Sequence, residues 1–477
     1  MNKFTADLRE RLRKVKPKRW VRFGIVSLVF LAWVVWMGNP WLLIGWLLLI
    51  DIYLTAYIPW TWWRRSDNTA VRTVMGWVDA IIYALVLVYF IFAFIGQNYN
   101  IPTSSLEKSL LVGDYLWVNK TIYGPRVPIT PIHFPLAHNE MPVVGGKSYL
   151  DSPRLAYHRL PGLRRVERGD IVVFNYPQGD TVLLRSLNPD YYQLSEMLRR
   201  QGVADPKSYF LANQQTFGKM VVRPVDRREN YVKRAIGLPG ERMKIRHDTI
   251  FINGQPIAEP TNVQYNYIVP VSAPIPSVQW QELGVRAEDY GSGPSDDNAT
   301  GMLCYNVPLT AEARAEVQKW PQVVGPLIPE NRSGMYLTDG VFPASANYGW
   351  TRSDMGELWI PKRGATLKLT LDNLPLYLRA ITTYEGNDLQ VRDGEIYING
   401  ERTDHYTFKM DYYWMMGDNR DRSLDSRYWG FVPEDHLIGS PMFVIASFDE
   451  DRSLTDGKIR TDRILISANP DKEKWPK

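Results

Sequence analysis

Three apolar runs at the start of the chain limit its fold more than any other feature. Residues 20–38, 41–60 and 74–95 are separated by Asn39-Pro40 and by an Arg-bearing linker, and the third is broken only by Asp79. A hydrocarbon core of about 30 Å takes roughly 20 helical residues to cross, so each run is a candidate transmembrane helix. Trp20, Trp60, Trp62 and Trp63 stand near span ends, where interfacial aromatics collect. On length alone, the first two runs also suit a single re-entrant hairpin. A cleaved signal peptide is disfavoured, because several long runs follow one another. Nine Lys or Arg residues fall within residues 1–22, and Arg64, Arg65 and Arg72 occupy the linker. Both segments therefore read as cytoplasmic. Three crossings, or a hairpin and one crossing, put everything after Gln97 on the outer face.

The 477 residues leave room for more than one domain beyond this anchor. The net charge of +5 is modest and unevenly placed, which argues against nucleic acid as a partner. Cys304 is the only cysteine, so an internal disulfide and a multi-cysteine metal site are both excluded. From Gln97 onward the periodicity is that of strands. Residues 111–120, 170–174, 243–254 and 389–400 are rich in Val, Ile and aromatics and are bounded by Gly, Pro or Asn-Gly. Helical signal is sparse, with 191–201 and 310–319 the better candidates. The expected fold is an anchor of about three helices followed by a mainly β extracytoplasmic body that carries inserts.

An internal echo suggests where the main insert lies. Residues 240–254 align without gaps to 386–400, both ending in Ile-Asn-Gly, and 231–236 align to 377–381 with one deletion. The second copy lacks the lysine of the first. Residues 255–376 are then an insertion flanked by a degenerate duplicate, the alternative being two unrelated hairpins with common strand chemistry. Loops rich in Pro and Gly at 123–163 and 256–350 match nothing assignable.

The chemistry concentrates in short motifs. Ile101-Pro102-Thr103-Ser104-Ser105-Leu106 is followed by Gly113-Asp114, and residues 231–241 read Tyr-Val-Lys-Arg-Ala-Ile-Gly-Leu-Pro-Gly-Glu, with Lys233 third. A serine hydroxyl is a poor nucleophile until a base takes its proton, and a desolvated lysine can be that base. An unperturbed lysine has a pKa of about 10.4, leaving roughly one in 2,500 neutral at pH 7. Bringing it to 7–8 takes about three units, or roughly 4 kcal/mol, which burial beside Val232, Ala235 and Ile236 would supply. Arg234 cannot be the base, because its guanidinium stays protonated. Residues 416–430 carry Asp418, Asp421 and Asp425 among Arg420, Arg422 and Arg427. Such balanced charge points to an ion-pair network, and the segment lacks the central glycine and closing glutamate of a calcium loop. None of the six histidines lies in these motifs, which disfavours a Ser-His-Asp triad.

With Arg168-Gly169-Asp170 and the strand after it, these motifs in this order, downstream of hydrophobic spans, resemble bacterial type I signal peptidase. That family consists of membrane-anchored Ser/Lys endopeptidases that remove signal peptides from exported proteins. The resemblance covers about 97–177, 230–254 and 392–449 and leaves the inserts outside. It implies Ser105 as nucleophile, with Ser104 its neighbour and Ser109 close, and Lys233 as general base. It gives Thr103 the side-chain donor role in the oxyanion hole, beside the Ser105 backbone N–H. It makes Ser423 the hydroxyl that orients the lysine, and Asp425, Arg427 and Arg234 structural. Ile101, Leu106, Leu110, Tyr231 and Val232 would line shallow pockets for small substrate residues at −1 and −3. The chain departs from the family pattern at Thr103, Leu106 and Glu107-Lys108, where Ser, Met and Met-Pro are usual.

The resulting plan has a basic cytoplasmic N-terminus (1–22), an anchor (23–95), and a catalytic body in two parts (96–255 and 386–477). An insert lies near 178–229, and a larger inserted subdomain spans 256–385. No cofactor or metal is expected. The expected partners are exported preproteins bearing signal peptides and the lipid bilayer, and the insert is a candidate for contact with the export machinery. A self-cleaving Ser/Lys repressor-type enzyme shares the dyad but not the apolar spans. An inactive, membrane-tethered homologue that binds exported chains is the rival from a different class.

Overall fold

Two long apolar helices, Pro17–Met37 and Thr69–Ile95, are each sufficient in length and composition to cross a membrane. The computed structural model describes residues 3–475 apart from 39, 142, 144, 188, 292, 298–301, 331–340 and 344–347. Its contacts divide the chain into residues 1–94 with 158–160, and 95–157 with 161–477.

In the first unit the middle apolar run is shorter than expected. Its helix covers only Pro40–Thr55, about 24 Å at 1.5 Å per residue and so short of a full crossing. Asp51 explains the early stop: its carboxylate accepts from Thr55 Oγ1 and from the backbone N–H groups of Tyr57 and Ile58. Ala56 then turns the chain at φ 45°. Two helices are thus of full spanning length, with a shorter apolar helix between them. That helix runs antiparallel to the first. Trp46 Nε1 donates to Ser27 Oγ, Arg19 to the Ile52 carbonyl and Arg11 to the Ala56 carbonyl. The chain thus returns to the basic N-terminal end before Thr69.

The second unit is built on seven strands: β1 Gly96–Asn100, β2 Asp114–Asn119, β3 Ile171–Asn175, β4 Asn230–Gly237, β5 Tyr412–Met416, β6 Val432–Pro433 and β7 Leu437–Ser447. Their order across the sheet is β1-β2-β7-β3-β4-β5-β6, with every pair antiparallel. All five residues of β3 are buried, because both sheet faces are covered. Alternate side chains serve the two faces. Val172 and Phe174 join Ala235, Tyr413 and Met415 in one cluster, whereas Ile171 and Val173 join Ile101, Leu106, Leu110 and Leu116 in another.

The repeated Asn-Gly segments fold alike. Arg242–Arg246 pairs with Thr249–Ile252, and Leu389–Arg392 pairs with Glu395–Ile398, in matching register. Each continues into a third short strand after its Asn-Gly turn. Asn253 and Asn399 take left-handed φ of 50° and 54°, as two-residue hairpin turns require. The alignment fails upstream, where 374–384 is helical (Leu374–Arg379, then Ala380–Tyr384) instead of a strand. Pro375 at the helix start and buried Leu374, Tyr377 and Ile381 at helical spacing account for the difference.

The described residues of 256–385 contribute to two cores. Strands Gln264–Val271, Ser295–Asp297, Met302–Thr310 and Ile328–Pro329 form a separate sheet. It has its own core around Trp280, with Val269, Tyr305, Val307 and Val317. By contrast, Met355, Leu358, Tyr377 and Ile381 share a core with Met243, Ile250, Ile396, Phe408 and Trp414. Part of the expected subdomain, 298–301, 331–340 and 344–347, lies outside the described residues. The expected helices appear as Tyr191–Arg200, with a capping box at Asp190, and Ala311–Val317, capped by Thr310.

Candidate active site

The segment Pro102–Leu106 cannot continue the sheet, since it leaves β1 at a proline and tightens into a 3-10 turn at Ser104–Leu106. Gly113 closes the segment from behind. It adopts φ 87°, donates to the Ile101 carbonyl, and sits so near Phe448 that a Cβ would lie 1.9 Å from its carbonyl oxygen. Asp114 then accepts from Leu111 N–H and pairs with Arg463 at 2.6 Å. The Gly-Asp motif thereby fixes the base of the turn that carries Ser105.

On β4, Lys233 pairs with Val172 of β3 and is only 3 % exposed. Its Nζ stands 2.6 Å from Ser105 Oγ. Burial lowers its pKa to about 8, helped by Arg427 and opposed by Asp425 and Asp418. About a tenth of such a lysine is neutral at pH 7, against roughly one in 2,500 for a free one. Arg234, next along the strand, is fully buried. It makes a two-pronged pair with Asp418, and its Nη1 donates to the Gly169 carbonyl.

The loop after β5 meets the nucleophile turn directly. Asn419 N–H donates to the Ser105 carbonyl and Asn419 Nδ2 to the Ser104 carbonyl, both at 3.1 Å. Gly417 lies between the two: a Cβ there would come within 2.5 Å of the Ser105 carbonyl and 2.3 Å of Ser423 Oγ. Asp425 receives the Gly417 N–H and a bidentate Arg427, and both side chains are buried. That pairing holds the Asp425 carboxyl below the usual carboxylate range despite its burial.

Thr103 is exposed, and its Oγ1 is 3.5 Å from Ser105 Oγ. Ser423 is buried close to Asp425, whose ionised form it favours. It makes no hydrogen bond of regular geometry among the described residues, so the expected bond to Lys233 is absent here. The expected pocket residues separate. Tyr231 and Val232 are half-buried, with Tyr231 stacked on Tyr176 at 4.5 Å. Ile101, Leu106 and Leu110 belong to the core, Leu110 with no exposed surface.

Several contributors escaped sequence reasoning. Ser109 donates to Asp418 Oδ2 at 2.6 Å, and Asn262 reaches both Ser109 and Asp418. Gln264 N–H donates to the Asp418 carbonyl, and Asn266 N–H to Asp421 Oδ2. Asn262, Gln264 and Asn266 alternate along one strand approach, but nothing in the sequence ties that segment to a loop some 150 residues later. No group of three or more His, Cys, Asp or Glu side chains suited to a metal occurs among the described residues.

Comparison with known proteins assigns the chain to a family. The profile described as signal peptidase, peptidase S26, matches residues 74–290 and 401–446, more than half of the chain. Signal peptidase I of Buchnera aphidicola subsp. Acyrthosiphon pisum (strain APS) is 24% identical over 382 residues, covering 79% of this chain and 76% of its own. Signal peptidase I of Haemophilus influenzae (strain ATCC 51907 / DSM 11121 / KW20 / Rd) is 22% identical over 404 residues, covering 85% and 78%. A solved signal peptidase I from Enterococcus faecalis V583 aligns with 58% of this chain and 98% of its own at 16% identity, with a TM-score of 0.18, too low to support a fold assignment. The chain belongs to the signal peptidase family, peptidase S26.

Proposed function

We propose that Ser105 and Lys233 form the catalytic dyad of a membrane-bound signal peptidase I. Family membership makes the chain a serine endopeptidase acting on preproteins with signal peptides. The observation that carries the dyad is the 2.6 Å approach of a buried Lys233 Nζ to Ser105 Oγ. The neutral amine takes the hydroxyl proton as Ser105 Oγ attacks the scissile carbonyl. The resulting oxyanion is met by the Ser105 backbone N–H and the Thr103 hydroxyl. Collapse of the tetrahedral intermediate breaks the C–N bond, and the leaving amine takes the proton from Lys233. Water, deprotonated by the same lysine, then releases the acyl group from Ser105. Ser423, Asp425, Arg427 and Arg234 hold the site's backbone. Ile101, Leu106, Leu110, Tyr231 and Val232 shape the pockets for small residues, with Ile101, Leu106 and Leu110 doing so from beneath.

The anchor serves the inner membrane. The basic N-terminus and the Arg64-Arg65 linker lie on the cytoplasmic side, which the Arg11–Ala56 and Arg19–Ile52 contacts favour by bringing the chain back to its starting end. One further crossing, Thr69–Ile95, gives the catalytic body to the outer face. Within that body, 264–329 is the accessory subdomain, whereas Met355, Leu358, Tyr377 and Ile381 belong to the catalytic core.

The test is processing of a preprotein with an Ala-X-Ala signal junction by purified full-length protein in detergent, with the product's new N-terminus sequenced. Cleavage at the junction supports the function. A folded wild type that binds the preprotein without cutting it would favour the tethered homologue instead.

A further inference from the structure

The subdomain at 264–329 touches both halves of the dyad's support. On the nucleophile side the contact is Lys108, three residues after Ser105. Its Nζ donates to the Leu283 carbonyl at 3.0 Å and the Gly284 carbonyl at 2.5 Å. These are the last carbonyls beyond the short helix Ser277–Glu282, groups that a helix end leaves without partners. Lys108 adopts φ 74°, a conformation uncommon for a side-chain-bearing residue, and it follows the 3-10 turn that holds Ser105. Burial disfavours its ammonium form, with Glu107 and Asp289 opposing.

On the other side the subdomain holds the loop after β5. Gln264 lies beside Asn419 as a parallel bridge, and Asn419 is the residue that donates to the Ser104 and Ser105 carbonyls. Arg422 donates to the Asn306 carbonyl and approaches Asp289 at 3.6 Å. One accessory body therefore contacts two segments that are 300 residues apart in sequence and meet at Ser105.

We infer that the 264–329 subdomain is a clamp on the catalytic centre and that Lys108 is a positioning residue for Ser105, acting through the Leu283 and Gly284 carbonyls. This rests on the Ser105–Lys233 reading. It also makes the subdomain an integral part of catalysis instead of a detachable docking module. A nucleophile displaced by about 1 Å loses on the order of 100-fold in rate, so a loosened turn acts on kcat with little effect on substrate binding.

The experiment compares wild type, Lys108→Met, Lys108→Arg and Ser105→Ala, all full length in detergent, for kcat, KM and thermal unfolding. Lys108→Met is expected to lose about 10- to 100-fold in kcat with KM within about threefold of wild type. Its melting temperature stays within a few degrees. Lys108→Arg, which keeps donors for both carbonyls, recovers most of the loss. If Lys108→Met fails to fold, Arg422→Met takes its place, removing the subdomain's contact with the loop after β5 at the Asn306 carbonyl. Loss of folding in both would make these contacts structural only and overturn the inference, as would wild-type kcat in a folded Lys108→Met. Absence of cleavage by wild type, or cleavage by Ser105→Ala, would instead strike the dyad itself.

Discussion

Arg234 and Asp418 meet through two hydrogen bonds, 2.7 Å from Nε to Oδ1 and 2.6 Å from Nη2 to Oδ2, with neither side chain exposed to solvent. The pair joins β4, which carries Lys233, to the loop that holds the Ser104 and Ser105 carbonyls. It therefore links the strand of Lys233 to the turn of Ser105, the two residues of the proposed dyad. Ser109 and Asn262 complete the carboxylate's hydrogen bonding, which a buried charge requires.

Breaking that pair from one side strands the other charge. Asp418→Ala is expected to destabilise the catalytic body by about 3–5 kcal/mol, whereas Arg234→Met with Asp418→Leu recovers a large share. Denaturant unfolding of the purified variants measures both. A single replacement costing under about 1 kcal/mol would mean that the pair is not structural.

The pH profile follows from Lys233. In the proposed dyad Lys233 acts as base only when neutral, and burial puts its pKa at about 8. The rate should climb about tenfold per pH unit below 8 and level off above it. Stability moves the same way over a higher window. The folded lysine has a pKa of about 8 against 10.5 in the unfolded chain, so the unfolded state binds more protons between those values and stability rises with pH there. A rate profile flat from pH 6 to 9 would remove the lysine as base.

Gly417 offers a steric test that leaves every charge in place. An added methyl would press on Ser423 Oγ and on the Ser105 carbonyl, both closer than 2.6 Å. Gly417→Ala should lower kcat by about 100-fold or more through displacement of the nucleophile turn. Retention of near-normal turnover would show that the loop yields easily.

Sidedness can be read with single cysteines on a Cys304→Ser background. Asp67 and Leu454 are both exposed. Asp67→Cys should react with an impermeant maleimide only after the inner membrane is opened. Leu454→Cys should react from the outer side without opening it. The reverse pattern would invert the orientation drawn from the arginines.

Much of the fold was readable because its signals are local. The Asn-Gly turns and alternating apolar residues around 243–254 and 389–400 specify hairpins without distant help. The segment 377–381 misled because its likeness to 231–236 lies in residue types, whereas its helix depends on Pro375 and on packing against a distant core. The length of the middle apolar helix was not legible either: Asp51 caps its end through backbone donors six and seven residues on, which hydropathy does not register. Ser105 and Lys233 were legible as motifs. Asn262, Gln264 and Lys108 were not, since their partners lie more than 150 residues away in sequence.

The most direct measurement is identification of the residue acylated by an active-site serine probe, by peptide mass spectrometry, in wild type and Lys233→Ala. The account predicts the adduct on Ser105 in wild type and its loss in Lys233→Ala at the same pH. An adduct on Ser104 or Ser109, or equally fast labelling of Ser105 without Lys233, would contradict it.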